Sequence, residues 1–212
     1  MIELCLFPIP NCVTFPGTVF PLHVFEPRYR QMIQHCLDQQ TPVAICHTQA
    51  VLSEGKPHES LQQSLNSNQA TYQPYDVVSA GQCELLERTE DGRLYLNVHI
   101  DQRYRIIERT QALPYQIYSC EALADVEDSA EEQQESQLLK EKIMHRLAAI
   151  GHDLEGVQRM LNSPEWQQKS PQAFSFQLFG MVRFDADILQ HILEMTSAHA
   201  RLNYTLQLLN QA

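Results

Sequence analysis

Apolar and polar positions alternate in short runs through the first part of the chain and then change to a helical period. Ile2 to Phe7, Thr18 to Phe25 and Pro42 to Thr48 are rich in β-branched, leucine and aromatic residues and are punctuated by Pro, Asn or Gly, the pattern of strands separated by turns. Pro21 has no N–H to give a ladder, which predicts a sheet edge or a bulge for the second run. Between Val24 and Cys36 the period lengthens. Pro27 suits a first helical turn, Glu26 stands where a carboxylate favours a helix N-terminus, and Tyr29, Met32, Ile33, Cys36 and Leu37 share one face. A helix over Pro27 to Leu37 follows, with Arg28 and Gln31 on its polar side and Glu26 and Arg30 spaced to pair.

Ser53 to Pro74 is polar and aperiodic and reads as a long loop. VVSAGQCELLER and RLYLNVHI then flank Thr89-Glu90-Asp91-Gly92, a hairpin signal, and RYRIIER and YQIYSCEAL supply two further strands. From Asp125 the character shifts. Ser129 with Glu132 matches a capping box, Leu139, Ile143, Leu147 and Ile150 form a stripe, Gly151 fits a helix stop, and Ser170-Pro171, Asp185 and Ser197 mark further helix starts. The pattern predicts an α+β chain: a β-rich domain over residues 1–124, then a helical bundle over residues 125–212 behind an acidic linker.

Composition narrows the function classes. Lys and Arg number 15 against 26 Asp and Glu, a formal charge of -11, which disfavours a sequence-independent grip on phosphate backbones or anionic lipid. The N-terminus lacks a basic region before its apolar residues and no apolar run is long enough to span a bilayer, so the expected location is cytoplasmic. Six scattered cysteines without a CxxC pair read as reduced, buried thiols, and the histidines supply no metal-binding spacing; no cofactor or metal is expected.

Catalytic motifs are equally sparse. A P-loop ending at Gly55-Lys56 would need glycine at position 50 and Ser or Thr at position 57, where the chain has Ala50 and Pro57. His23 and His99 are candidate bases beside a thiol such as Cys36 or Cys83, with no orienting third group in view; structural roles are the simpler reading. Arg103, Arg105 and Arg109 around Tyr104 form the densest basic patch, a nucleic-acid candidate set against the acidic balance of the whole.

The segment LFPIPNCVTFPGTVFPLHVFEPRYRQMI places five of the eleven prolines, Pro8, Pro10, Pro16, Pro21 and Pro27, among hydrophobic residues. It resembles the N-terminal signature of the Lon protease substrate-binding domain: Phe7-Pro8 closing a strand, Phe15-Pro16-Gly17 as a turn, Leu22-His23 and Phe25-Glu26 in a strand, and Pro27-Arg28-Tyr29 opening a helix. Gly81-Gln82, Asp91-Gly92, the Arg103-Tyr104-Arg105-Ile106 element and Arg201-Leu202 near the end extend the likeness more weakly, the last-but-one without the family's glycine.

The resemblance implies a PUA-like pseudo-barrel followed by helices, and a module that binds unfolded or specific protein and peptide partners, as an adaptor or substrate receptor in protein quality control. Full Lon enzymes carry an ATPase and a Ser-Lys protease domain; this sequence is expected to hold neither, whatever protease label the family bears. Phe15, Phe20, His23, Phe25, Arg28, Tyr29, Arg103 and Tyr104 are the candidate partner surface. RNA binding, known for other PUA-like folds, and a small-molecule enzyme using a His/Cys pocket remain the alternatives.

Overall fold

The computed structural model describes residues 1–55 and 69–211. The chain divides into two compact units, residues 1–123 with 185–193, and residues 124–184 with 194–212.

The first unit is built on a six-stranded sheet from β1 (Ile2–Pro8), β2 (Thr18–Val24), β3 (Val43–Cys46), β6 (Val77–Arg88), β7 (Leu94–Gln111) and β8 (Ile117–Ala122), in the order β2-β7-β6-β3-β1-β8. β7 also pairs with β8, closing five strands into a pseudo-barrel and leaving β2 on the outside. Closure rests on the length of β7, whose first half pairs with β2 and β6 and whose second half pairs with β8. The runs RLYLNVHI and RYRIIER are thus one continuous strand rather than two. The polar Asp101 that separates them falls at a register shift opposite Ala80 and Gly81, a bulge that bends the strand without ending it. Pro21 lies on β2, the edge strand, where its missing N–H costs least.

β1 and β3 pair in parallel, joined through β2 and the helix α1 (Pro27–Gln39). Both are buried on two faces. Cys5, Val43 and Ile45 point to the core under α1 with Met32, Ile33 and Cys36, while Leu4, Leu6, Ala44 and Cys46 pack on the other side with Val78, Ala80 and Cys120. That double burial explains why these strands read as unbroken apolar runs. The expected strand Pro42 to Thr48 ends instead at Cys46, and β4 (Thr48–Ser53) starts a separate two-stranded sheet with β5 (Thr71–Pro74). Part of the tract from Ser53 to Pro74 read as a loop is therefore strand; its residues 56–68 lie outside the described ones.

His47, between β3 and β4, is buried, accepts the Asn11 N–H on Nδ1 at 3.0 Å, and has Nε2 3.3 Å from Asp187. Asp187 also accepts from the Tyr75 hydroxyl at 3.1 Å, Gln190 donates to the Val77 carbonyl at 2.9 Å, and Arg103 donates to the Leu193 carbonyl at 2.6 Å. Through these bonds the segment at 185–193 belongs with the strands.

The second unit is helical: α2 (Ala130–Ile150), α3 (Glu155–Leu161), α4 (Pro164–Gln168), α5 (Pro171–Gln177), a 3-10 turn at Leu178–Gly180, and α7 (Ala198–Gln211); α6 (Ala186–Glu194) falls almost wholly in the first unit. Ser129 and Glu132 form the capping box on α2, both halves present. Ile143 and Leu147 are buried with Phe174, Leu178, Leu202 and Leu209, whereas Ile150, placed by periodicity in the same stripe, is exposed. Arg201 is fully buried and grips Asp125 with two bonds of 2.7 and 2.6 Å, its guanidinium 3.9 Å from the centre of the Phe176 ring.

Candidate functional site

The proline-rich opening segment builds one wall of a groove of about 290 Å³. Phe7, Ile9 and Pro10 contribute from the end of β1, Leu22 and His23 from β2, Phe25 from the turn, and Tyr29 from the first turn of α1. Three of its prolines have a local reason here: Pro8 closes β1 opposite Cys46, Pro16 precedes Gly17, whose positive φ of 80° makes the turn, and Pro27 starts the helix. The second wall comes from across the chain, where Gln69, Ala70 and Tyr72 enter β5.

A buried ion pair joins the walls. Arg28 Nε and Nη2 lie 3.0 Å from Glu26 Oε2, and the rest of the guanidinium donates to the Gln69 and Ala70 carbonyls at 3.2 and 2.7 Å and to the Thr71 hydroxyl at 2.9 Å. Glu26 in turn accepts the Gln69 N–H at 2.9 Å. The planar donor fork of arginine suits such divergent acceptors, and with the charges answered internally the rest of the groove wall is mainly aromatic and aliphatic. Tyr29 stacks on Phe7 at 4.3 Å, and burial pushes its hydroxyl far above the ordinary tyrosine range. At the mouth, His23 stacks almost parallel on Tyr95 with centroids 4.4 Å apart, both rings exposed to solvent.

Four of the eight expected surface residues, His23, Phe25, Arg28 and Tyr29, meet in this groove. The other four do not. Phe15 is a core residue at 3% exposure, Phe20 is half-buried against the main core, and Tyr104 packs half-buried against the second core with Ile106. Arg103 is 2% exposed, because its guanidinium bonds the Leu193 carbonyl instead of facing solvent. Arg28 is buried too, not on a polar helix face, and its partner is Glu26 while Arg30 donates to the Asp91 carbonyl. Arg28, Arg103 and Arg105 therefore form no shared positive surface. Glu26, expected only as a helix-start carboxylate pairing Arg30, and Gln69, Ala70 and Tyr72 are the groove residues without a sequence signal; the second wall is polar chain more than forty residues from Arg28, which it meets.

No His/Cys pairing emerges among the described residues. His99 faces solvent and bonds Glu84 at 2.9 Å, while Cys83, opposite Val98, packs against the core on the other face of the strands. Burial pushes the Cys12 thiol up to about 11 and the Cys83 and Cys120 thiols up to about 12, the protonated and unreactive form at neutral pH. Cys36 and Cys46 are raised further, the first chiefly by its hydrogen bond with Cys5, the second by burial. Among the described residues no group of three or more His, Cys, Asp or Glu is placed to hold a metal, and no helix is long and apolar enough to cross a membrane.

The chain is an α+β protein in which a β-rich pseudo-barrel carries an aromatic-lined groove and helices follow in sequence. The chain belongs to the ATP-dependent protease La (LON) substrate-binding domain family, whose model matches residues 3–211. Among solved structures it is similar to the N-terminal domain of the Lon protease of Mycobacterium avium complex, at 11% identity over 98% of both chains with a TM-score of 0.65. A Lon N-terminal domain protein from Xanthomonas campestris is similar at 17% identity, again over 98% of both chains, with a TM-score of 0.59. At these identities the likeness shows the fold. A search of curated proteins finds no match.

Proposed function

We propose that this chain is a non-catalytic module that holds extended, apolar segments of other proteins in the groove between the proline-rich segment and residues 69–72, acting as an adaptor or substrate receptor in protein quality control. The observation that carries the reading is the combination of aromatic and aliphatic walls with a charge pair satisfied from within. Such a cleft rewards burial of a partner's apolar side chains and makes little demand on their identity. Membership of a substrate-binding domain family supports the same direction. The raised thiols and the bond of His99 to Glu84 weigh against a His/Cys enzyme, and the internal bonds of Arg28 and Arg103 weigh against RNA.

Fluorescence anisotropy with a labelled, permanently unfolded polypeptide rich in Leu and Phe tests it. His23→Ala combined with Tyr72→Ala removes two groove rings at positions that are not fully buried, and binding is expected to weaken about tenfold or more, as for central interface aromatics, with thermal unfolding little changed. Unaltered affinity in that double variant would remove the groove from the account.

A further inference from the structure

We infer that the helical unit holds a second binding site, a cleft for an organic cation with several N–H donors, of the alkylammonium or guanidinium kind. The cleft, about 520 Å³, lies where the acidic linker meets the first turns of α2, α5 and α7. It is lined by three carboxylates, Asp125, Glu127 and Asp128, and by no lysine, arginine or histidine. Asp125 is answered from behind by Arg201, and Asp128 accepts from the Ser197 hydroxyl at 2.8 Å and the His199 N–H at 3.2 Å. The Glu127 carboxylate stands exposed on the rim.

Acceptors predominate among the polar groups of the cleft. Gln133, Gln137 and Gln172 each give an amide N–H to the Asp128 carbonyl, Glu141 and Asp125, and their side-chain carbonyl oxygens add acceptors to the three carboxylates. The helix N-termini offer no anion site in exchange, since Ser129, Ser170 and Ser197 already cap them. Ser136 in the wall is 2% exposed, and among the described residues its Oγ is the only buried hydroxyl without a partner. A hydroxyl of that kind is completed by a ligand that brings a further polar group. With no ligand cluster for a metal ion among the described residues, a donor-rich organic cation is the chemistry that matches acceptors, charge and volume.

Two sources share that chemistry, an arginine or lysine side chain of a peptide and a free polyamine. Isothermal titration of the full chain with a blocked Gly-Arg-Gly-Arg-Gly peptide and, separately, with spermidine distinguishes them. Binding of the peptide alone assigns the cleft to protein side chains, and binding of spermidine alone assigns it to polyamines. Whichever probe binds, Glu127→Gln is expected to weaken it about tenfold, the loss of one charge-assisted contact, and Gln137→Ala to weaken it less. Glu90→Gln, on the exposed hairpin of the other unit, is the control for diffuse attraction to a chain of charge -11 and should change nothing. Failure of both probes to bind at millimolar concentration, or equal weakening by Glu90→Gln and Glu127→Gln, overturns the proposal.

Discussion

Arg28 and Glu26, two residues apart at the start of α1, form a buried ion pair at 3.0 Å that also fastens the backbone at Gln69 and Ala70. The pair turns a local helix start into a long-range clamp, because both ions take their remaining bonds from chain more than forty residues away.

Arg28→Met should therefore cost about 3–5 kcal/mol, the penalty for leaving a buried carboxylate without its cation. It should also release residues 69–71 and weaken polypeptide binding more than its loss of stability explains. Urea unfolding together with proteolysis near residue 70 checks this; a variant that stays protected there would show that the clamp is dispensable.

Gly81 sits at the register shift between β6 and β7, and a Cβ added there would lie 1.7 Å from the His99 carbonyl oxygen. Because the obstacle is backbone, it cannot swing aside. Gly81→Ala is expected to lower stability by about 3 kcal/mol or more, at the upper end for overpacked sites, and to loosen the barrel at the bulge. Hydrogen exchange at Val98 to Gln102 should rise with it.

In the helical unit, the bidentate contact of Arg201 with Asp125 predicts that Arg201→Leu or Asp125→Leu alone costs about 3–5 kcal/mol, whereas the double replacement recovers much of that loss. A double-mutant cycle by urea denaturation measures the coupling. Additive losses would mean that the two residues act through other partners.

The thiols give a pH test. With Cys12 raised to about 11 and Cys83 and Cys120 to about 12, the neutral form persists through the physiological range and the thiolate appears only as pH climbs toward those values. Iodoacetamide should label these positions in the native chain far more slowly at neutral pH than in urea-unfolded chain. A native thiol alkylated at the unfolded rate would reopen the catalytic reading.

How far the sequence revealed all this depends on whether the determining contacts are local. The proline anatomy of β1, β2 and α1 was legible because a fixed φ and a missing N–H act within a residue or two, and so was the capping box at Ser129 and Glu132. The continuity of β7 was not, since polar Asp101 looks like a break until Ala80 and Gly81 are placed opposite it. Arg28 looked solvent-facing because its helical position is polar-side, and only the returning chain at 69–71 buries it. Phe15 and Arg103 were wrong as surface residues for the same reason: aromatic and charged character do not say what packs against a side chain.

The position of a bound polypeptide on the chain is measurable residue by residue. Backbone and aromatic NMR shifts of the labelled chain, recorded with an unfolded Leu- and Phe-rich polypeptide, should move at His23, Phe25, Tyr29, Gln69 and Tyr72 and stay in place at Phe15 and Phe20. Saturable shifts confined to other surfaces, with these groove residues unchanged, would contradict binding in the groove.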